Sequence, residues 1–110
     1  MKILIVFLLF TLALGACSKK EKVSSEALSE MSEGERIVQT ACKVCHAQGI
    51  NGAPIIGNKK MWGDRLPRGI DQLSANASQG FGLMPPKGGR TDLSDEKVRL
   101  AVEYMLEQVQ

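Results

Sequence analysis

Cys42-Lys43-Val44-Cys45-His46 constrains this chain more than any other run in it, and His46 is the only histidine among 110 residues. Two thiols two residues apart, followed at once by an imidazole, form the attachment signature of a c-type haem. The thiols add to the two vinyl groups of one porphyrin, and the imidazole is then held under the ring with a nitrogen aimed at the iron. A chain bearing this run must wrap itself around a large, flat, apolar group that it cannot release. The competing chemistry is a non-haem thiol site, with Cys42 and Cys45 as a redox dithiol or half of a metal site. Against it, the sequence has neither the strand–helix alternation of a thioredoxin-like fold nor the second ligand pair that zinc needs.

The segment before the motif reads as export and anchoring. Met1-Lys2 is a short basic start, and residues 3–14 are apolar except for Thr11. That run is shorter than the roughly 20 residues needed to span a bilayer, and it has the length of a signal-peptide core. Leu14-Gly15-Ala16-Cys17 resembles the bacterial lipoprotein processing box. Residues 1–16 are therefore expected to be a lipoprotein-type signal, with Cys17 lipidated as the first mature residue. The alternative is ordinary secretory cleavage, which leaves Cys17 as an exposed thiol, a liability in an oxidising compartment. Lipid on Cys17 and haem on Cys42 and Cys45 use all three cysteines. Both modifications imply the periplasmic side of a bacterial membrane. Residues 17–30 are polar and charged, as expected of a flexible tether. With 14 basic and 12 acidic residues the net charge is +2, which is no balance for nucleic-acid binding.

Residues 31–110 are expected to form one all-α domain of three to four helices wrapped around the haem. Ser32 and Glu35 fit a capping box. Ile37, Val38, Ala41 and Val44 then recur at helical spacing, so a first helix runs from about Glu33 into the motif. Residues 47–57, rich in Gly and Pro, read as loop. A short helix is expected over 58–65, ended before Pro67. A longer one over 69–79 carries Ile70, Leu73 and Ala77 on one side, with Gly80 as terminator. Two prolines and three glycines make 82–89 an irregular strap. Ser94-Asp95-Glu96 opens the last helix, with Leu93 and Val98 as a hydrophobic staple and Val98, Ala101, Val102, Met105 and Val109 as its apolar stripe. Aromatics are 5% of residues, and two of the three Phe fall in the leader. So thin a core suits a domain in which a porphyrin fills the middle.

Iron bound by one imidazole needs a second axial partner or an open site, and the chain has no second histidine. A methionine thioether is the leading alternative. The candidates beyond the leader are Met31, Met61, Met84 and Met105. Met31 and Met105 are expected on helices, and Met61 lies only fifteen residues from His46. Met84 stands in Gly82-Leu83-Met84-Pro85-Pro86-Lys87-Gly88-Gly89, where the prolines stiffen the backbone around it.

With these pieces in place the chain resembles the class I c-type cytochromes, and within them the short bacterial group called cytochrome c-five. The matching pieces, beyond the haem motif, are Gly34, Gly52-Ala53-Pro54, Met61-Trp62, the Met-Pro-Pro strap, Leu93-Ser94-Asp95 and residues 101–105. The resemblance implies a monohaem one-electron carrier and not an enzyme. It implies haem c on Cys42 and Cys45, with His46 and Met84 on the metal. The Pro54 carbonyl would accept the other ring N–H of His46. Trp62 would lie near a propionate and offer its indole N–H. Gly34 would let the first helix cross closely over the last, near Tyr104. Valine at position 38 departs from the aromatic usual there, and no cysteine pair follows the strap.

Partners implied are redox proteins: a donor such as a quinol-oxidising complex, an acceptor such as a terminal oxidase or reductase. Lys59, Lys60, Arg65, Arg68, Lys87 and Arg90 flank the expected haem surroundings and could steer an acidic partner, or simply be a solvated surface. The alternative function is a haem-based sensor or enzyme in which Met84 yields its place to a small ligand.

Overall fold

The computed structural model describes residues 29–109. The expected signal, lipidated Cys17 and most of the tether lie outside the described residues. At Ser29 and Glu30 the backbone is helical, and a bend at Met31 separates them from the domain. Met31, expected on a helix, thus sits at that bend.

Ser32 starts the first helix as expected, its hydroxyl accepting from the Glu35 N–H at 3.1 Å. The Glu35 carboxylate accepts from the Tyr104 hydroxyl at 3.2 Å. The helix is not uniform. α1 (Glu33–Ile37) passes into a widened π turn (Val38–Cys42), closed by the Lys43 N–H donating to the Val38 carbonyl, and then into α2 (Lys43–His46). Periodicity did not foretell that wide turn, which inserts one extra residue just where the motif begins. Three more helices follow: α3 (Lys59–Trp62), α4 (Gly69–Gln79) and α5 (Asp95–Glu107). The Asn58 side chain caps α3 through the Met61 N–H at 3.1 Å, and Ser94 caps α5 through the Lys97 N–H at 3.2 Å. Counting α1 to α2 as one bent helix, four helices build the described residues, and the only strand-like pairing there is an isolated bridge between Phe81 and Met84.

α1 and α5 cross almost backbone to backbone. A Cβ on Gly34 would stand 2.3 Å from the Leu100 carbonyl oxygen and 3.3 Å from the Tyr104 Cβ. Only glycine permits that approach, which accounts for its place in a helix where it costs about 1 kcal/mol relative to alanine. Around the crossing, Ile37, Val38, Trp62, Ala101 and Met105 form one buried cluster, and Leu73, Val98 and Val102 form a second where α4 meets α5. Leu93 and Leu106 join the two. Val38, where an aromatic is usual in the group it resembles, is fully buried at 0% exposure, so the core has closed around the smaller side chain. This scaffold sets the motif helix against α5 and leaves one face to be completed by the strap.

Candidate haem site

His46 ends α2 and is 8% exposed. Its Nδ1 lies 2.9 Å from the Pro54 carbonyl oxygen. A proline carbonyl can only accept, so Nδ1 must carry the proton and donate it. In the neutral ring Nε2 is then the bare nitrogen, oriented and available to a metal. The loop that makes this bond is itself pinned, since the Ile56 N–H donates to the His46 carbonyl at 2.9 Å. It turns through left-handed residues at Gly49, Asn51 and Gly52, which explains the glycines in that stretch.

Cys42 and Cys45 are free thiols one helical turn apart, both half-buried. Burial pushes the Cys42 thiol up to about 11, with Arg90 pulling weakly the other way. A redox dithiol needs a depressed thiol instead, so this environment argues against that alternative. Among the described residues no group of three or more His, Cys, Asp or Glu side chains is placed to hold a metal ion.

Met84 is held by backbone. Phe81 and Met84 exchange both N–H···O bonds at 3.0 Å around Gly82 and Leu83, forming a tight turn inside the expected strap. Gly80, left-handed at φ +89°, lets Pro86 press against it: a Cβ there would meet Pro86 Cδ at 3.0 Å. Met84 is half-buried. Met105 is buried in the core at 5% exposure, which spends it on packing.

The donor set fits a covalently held haem: two thiols at the right spacing, a bare imidazole nitrogen fixed by its other nitrogen, and a thioether on a stiffened turn. The segments bearing these donors also expose large apolar side chains, Val44 and Ile50 beside His46 and Phe81 and Leu83 beside Met84. An apolar macrocycle suits such surroundings. Trp62 is buried at 4% exposure, but its indole N–H donates to the Ile55 carbonyl at 2.8 Å. Its one donor braces the loop that orients His46, where the resemblance would have it reach a propionate. Of the six expected steering cations, Lys87 and Arg90 are tied to Asp95 and Asp92, Arg65 reaches the Met61 carbonyl, and Arg68 lies over the Phe81 ring.

Comparison with known proteins agrees with this geometry. The family model described as cytochrome C oxidase, cbb3-type, subunit III matches residues 29–105. Cytochrome c-555 of Chlorobaculum thiosulfatiphilum is 35% identical over 83 residues, covering 72% of this chain and 96% of that relative. Cytochrome c5 of Ectopseudomonas mendocina is 39% identical over 71 residues, covering 63% and 82%. Among solved structures, the one titled as an electron transfer complex of nitrite reductase with cytochrome c superposes with a TM-score of 0.69 at 39% identity, covering 73% of this chain and 98% of that one. A mono-haem ferrocytochrome c from Shewanella putrefaciens superposes with a TM-score of 0.60 at 37% identity, covering 74% and 99%. The fold, the motif and these matches place the chain in the class I c-type cytochrome family. It is a small monohaem cytochrome with one covalently attached haem c, an electron carrier.

Proposed function

We propose that this chain shuttles single electrons between redox proteins on the periplasmic side of a bacterial membrane, with His46 and Met84 as the axial ligands of its haem and Cys42 and Cys45 as the attachment points. The haem supplies the one-electron iron couple. The protein keeps both axial donors still while charge changes. Pro54 holds the His46 ring, the Trp62–Ile55 bond braces the loop carrying Pro54, and the Phe81–Met84 turn holds the thioether. Thioether ligation favours the reduced state and raises the potential. The observation that carries this reading is the His46–Pro54 hydrogen bond, because it leaves Nε2 bare.

Several finer readings go with it. The chain is a carrier and not an enzyme: no acid–base pair stands in the strap, and relatives covered to 96% and 98% of their length carry the names of small cytochromes. It docks briefly with its donor and acceptor; the solved complex of nitrite reductase with a cytochrome c of similar fold supports a protein as the redox partner. Lys59 and Lys60, exposed on α3, are the cations best placed to steer such an encounter. Residues 1–16 are removed and lipid on Cys17 tethers residues 31–110 to the membrane; the processing-box sequence supports this. No helix among the described residues is long and apolar enough to cross a membrane.

Spectroelectrochemical titration tests the function. The expected result is one reversible electron per chain and no carbon monoxide binding by the reduced protein at neutral pH. Ready carbon monoxide binding would overturn the reading in favour of a ligand-binding haem protein.

A further inference from the structure

Lys87 holds a backbone conformation that a lysine does not choose. It is left-handed at φ +56° and ψ +26°, and Gly88 after it is left-handed too at φ +62°. Two such residues in succession ordinarily call for Asn or Gly, because a Cβ is crowded there. The turn closes with the Gly88 N–H on the Pro85 carbonyl at 3.0 Å and the Arg90 N–H on the Lys87 carbonyl at 3.1 Å. A long charged side chain at this position therefore calls for an explanation beyond the turn itself.

Its ammonium supplies one. Nζ donates to the Leu93 carbonyl at 2.6 Å and stands 2.9 Å from Asp95 Oδ1. Leu93 and Asp95 flank Ser94, the cap of α5. The side chain lies largely covered on the way, at 23% exposure. Upstream, the Phe81–Met84 bonds close the turn, and the contact of Pro86 with Gly80 seats the strap on the end of α4. Downstream, Arg90 and Asp92, just beyond the strap, pair with each other. Lys87, three residues after Met84, thus makes a polar tie from the strap to the start of α5.

We infer that Lys87 is a positioning residue: a clasp that latches the Met84 turn to the N-terminus of α5 and limits how often the thioether can swing away from its ligand position. The inference rests on the reading of Met84 as an axial ligand.

The test uses the full haem-loaded chain in its oxidised form, with imidazole as the competing ligand. Imidazole enters only when the native sixth ligand leaves, so its binding rate reads the opening of the strap. Lys87→Gly suits the left-handed backbone and removes the ammonium with its two partners. It is expected to bind imidazole at least ten-fold faster than the parent, with little change in the denaturant midpoint for global unfolding. Met84→Ala sets the upper limit. A fast Met84→Ala beside a Lys87→Gly that binds at the parent's rate refutes the clasp while leaving the ligand assignment standing. A Lys87→Gly rate that rises only as far as a lowered global stability explains refutes it as well. If Met84→Ala itself binds no faster than the parent, the ligand assignment fails, and the clasp with it.

Discussion

Replacing Gly34 by alanine is the sharpest test of the packing that presents the haem motif. In an isolated helix this change would help, by about 1 kcal/mol. Here the new Cβ would lie 2.3 Å from the Leu100 carbonyl oxygen and 2.9 Å from its carbon, whereas ordinary contact begins near 3.4 Å. The obstacle is backbone, so no side chain can rotate out of the way. α1 and α5 must part by about an ångström, which loosens the cluster of Ile37, Val38, Ala101 and Met105 and stretches the Tyr104–Glu35 bond. Overpacking of this kind costs about 1–3 kcal/mol, sometimes more. With helical preference recovering part of it, the net loss should be about 2 kcal/mol. For a domain of this size that is a fall in Tm of roughly 8–16 °C. Thermal unfolding of the haem-loaded protein, followed by circular dichroism, measures it. A variant as stable as the parent, or more stable, would show that the helices do not cross as closely as described.

Other expectations follow from the same geometry. Trp62→Phe removes the indole donor and leaves the Ile55 carbonyl with the Asn58 N–H alone; a loss of about 0.5–1.5 kcal/mol in denaturant unfolding is expected. Val38→Ala opens the fully buried centre of the core and should cost about 2 kcal/mol by the same assay, with the haem spectrum unchanged. The Asp92 carboxyl, held by its hydrogen bonds from Arg90, should titrate at about 2 by NMR and return toward the ordinary carboxylate range in Arg90→Gln. Because its folded value is depressed, whatever stability that pair adds is complete above the ordinary carboxylate range and fades as pH falls toward 2.

Much of this was legible in the sequence because it rests on local chemistry. Ser32, Asn58 and Ser94 stand at helix starts, and a capping side chain acts within three residues. The apolar stripe of α5 and the terminating Gly80 are equally local. The Pro54–His46 bond and the close crossing at Gly34 were legible only through family resemblance, since nothing in the spacing of those residues says that they meet. What stayed hidden depends on tertiary partners. The π turn at Val38–Cys42 leaves no mark in the periodicity, because one added residue shifts a face without erasing it. The indole of Trp62 found a loop carbonyl, and Lys87 and Arg90 found carboxylates, because the fold put acceptors within reach. A charge in a sequence does not show whether it faces solvent or a partner.

The central claim is that imidazole and thioether grip the iron from His46 and Met84. The oxidised protein should show the weak red absorption band of sulfur bound to ferric iron. That band should vanish in Met84→Ala and persist in Met61→Ala. A band that survives in Met84→Ala would contradict the account.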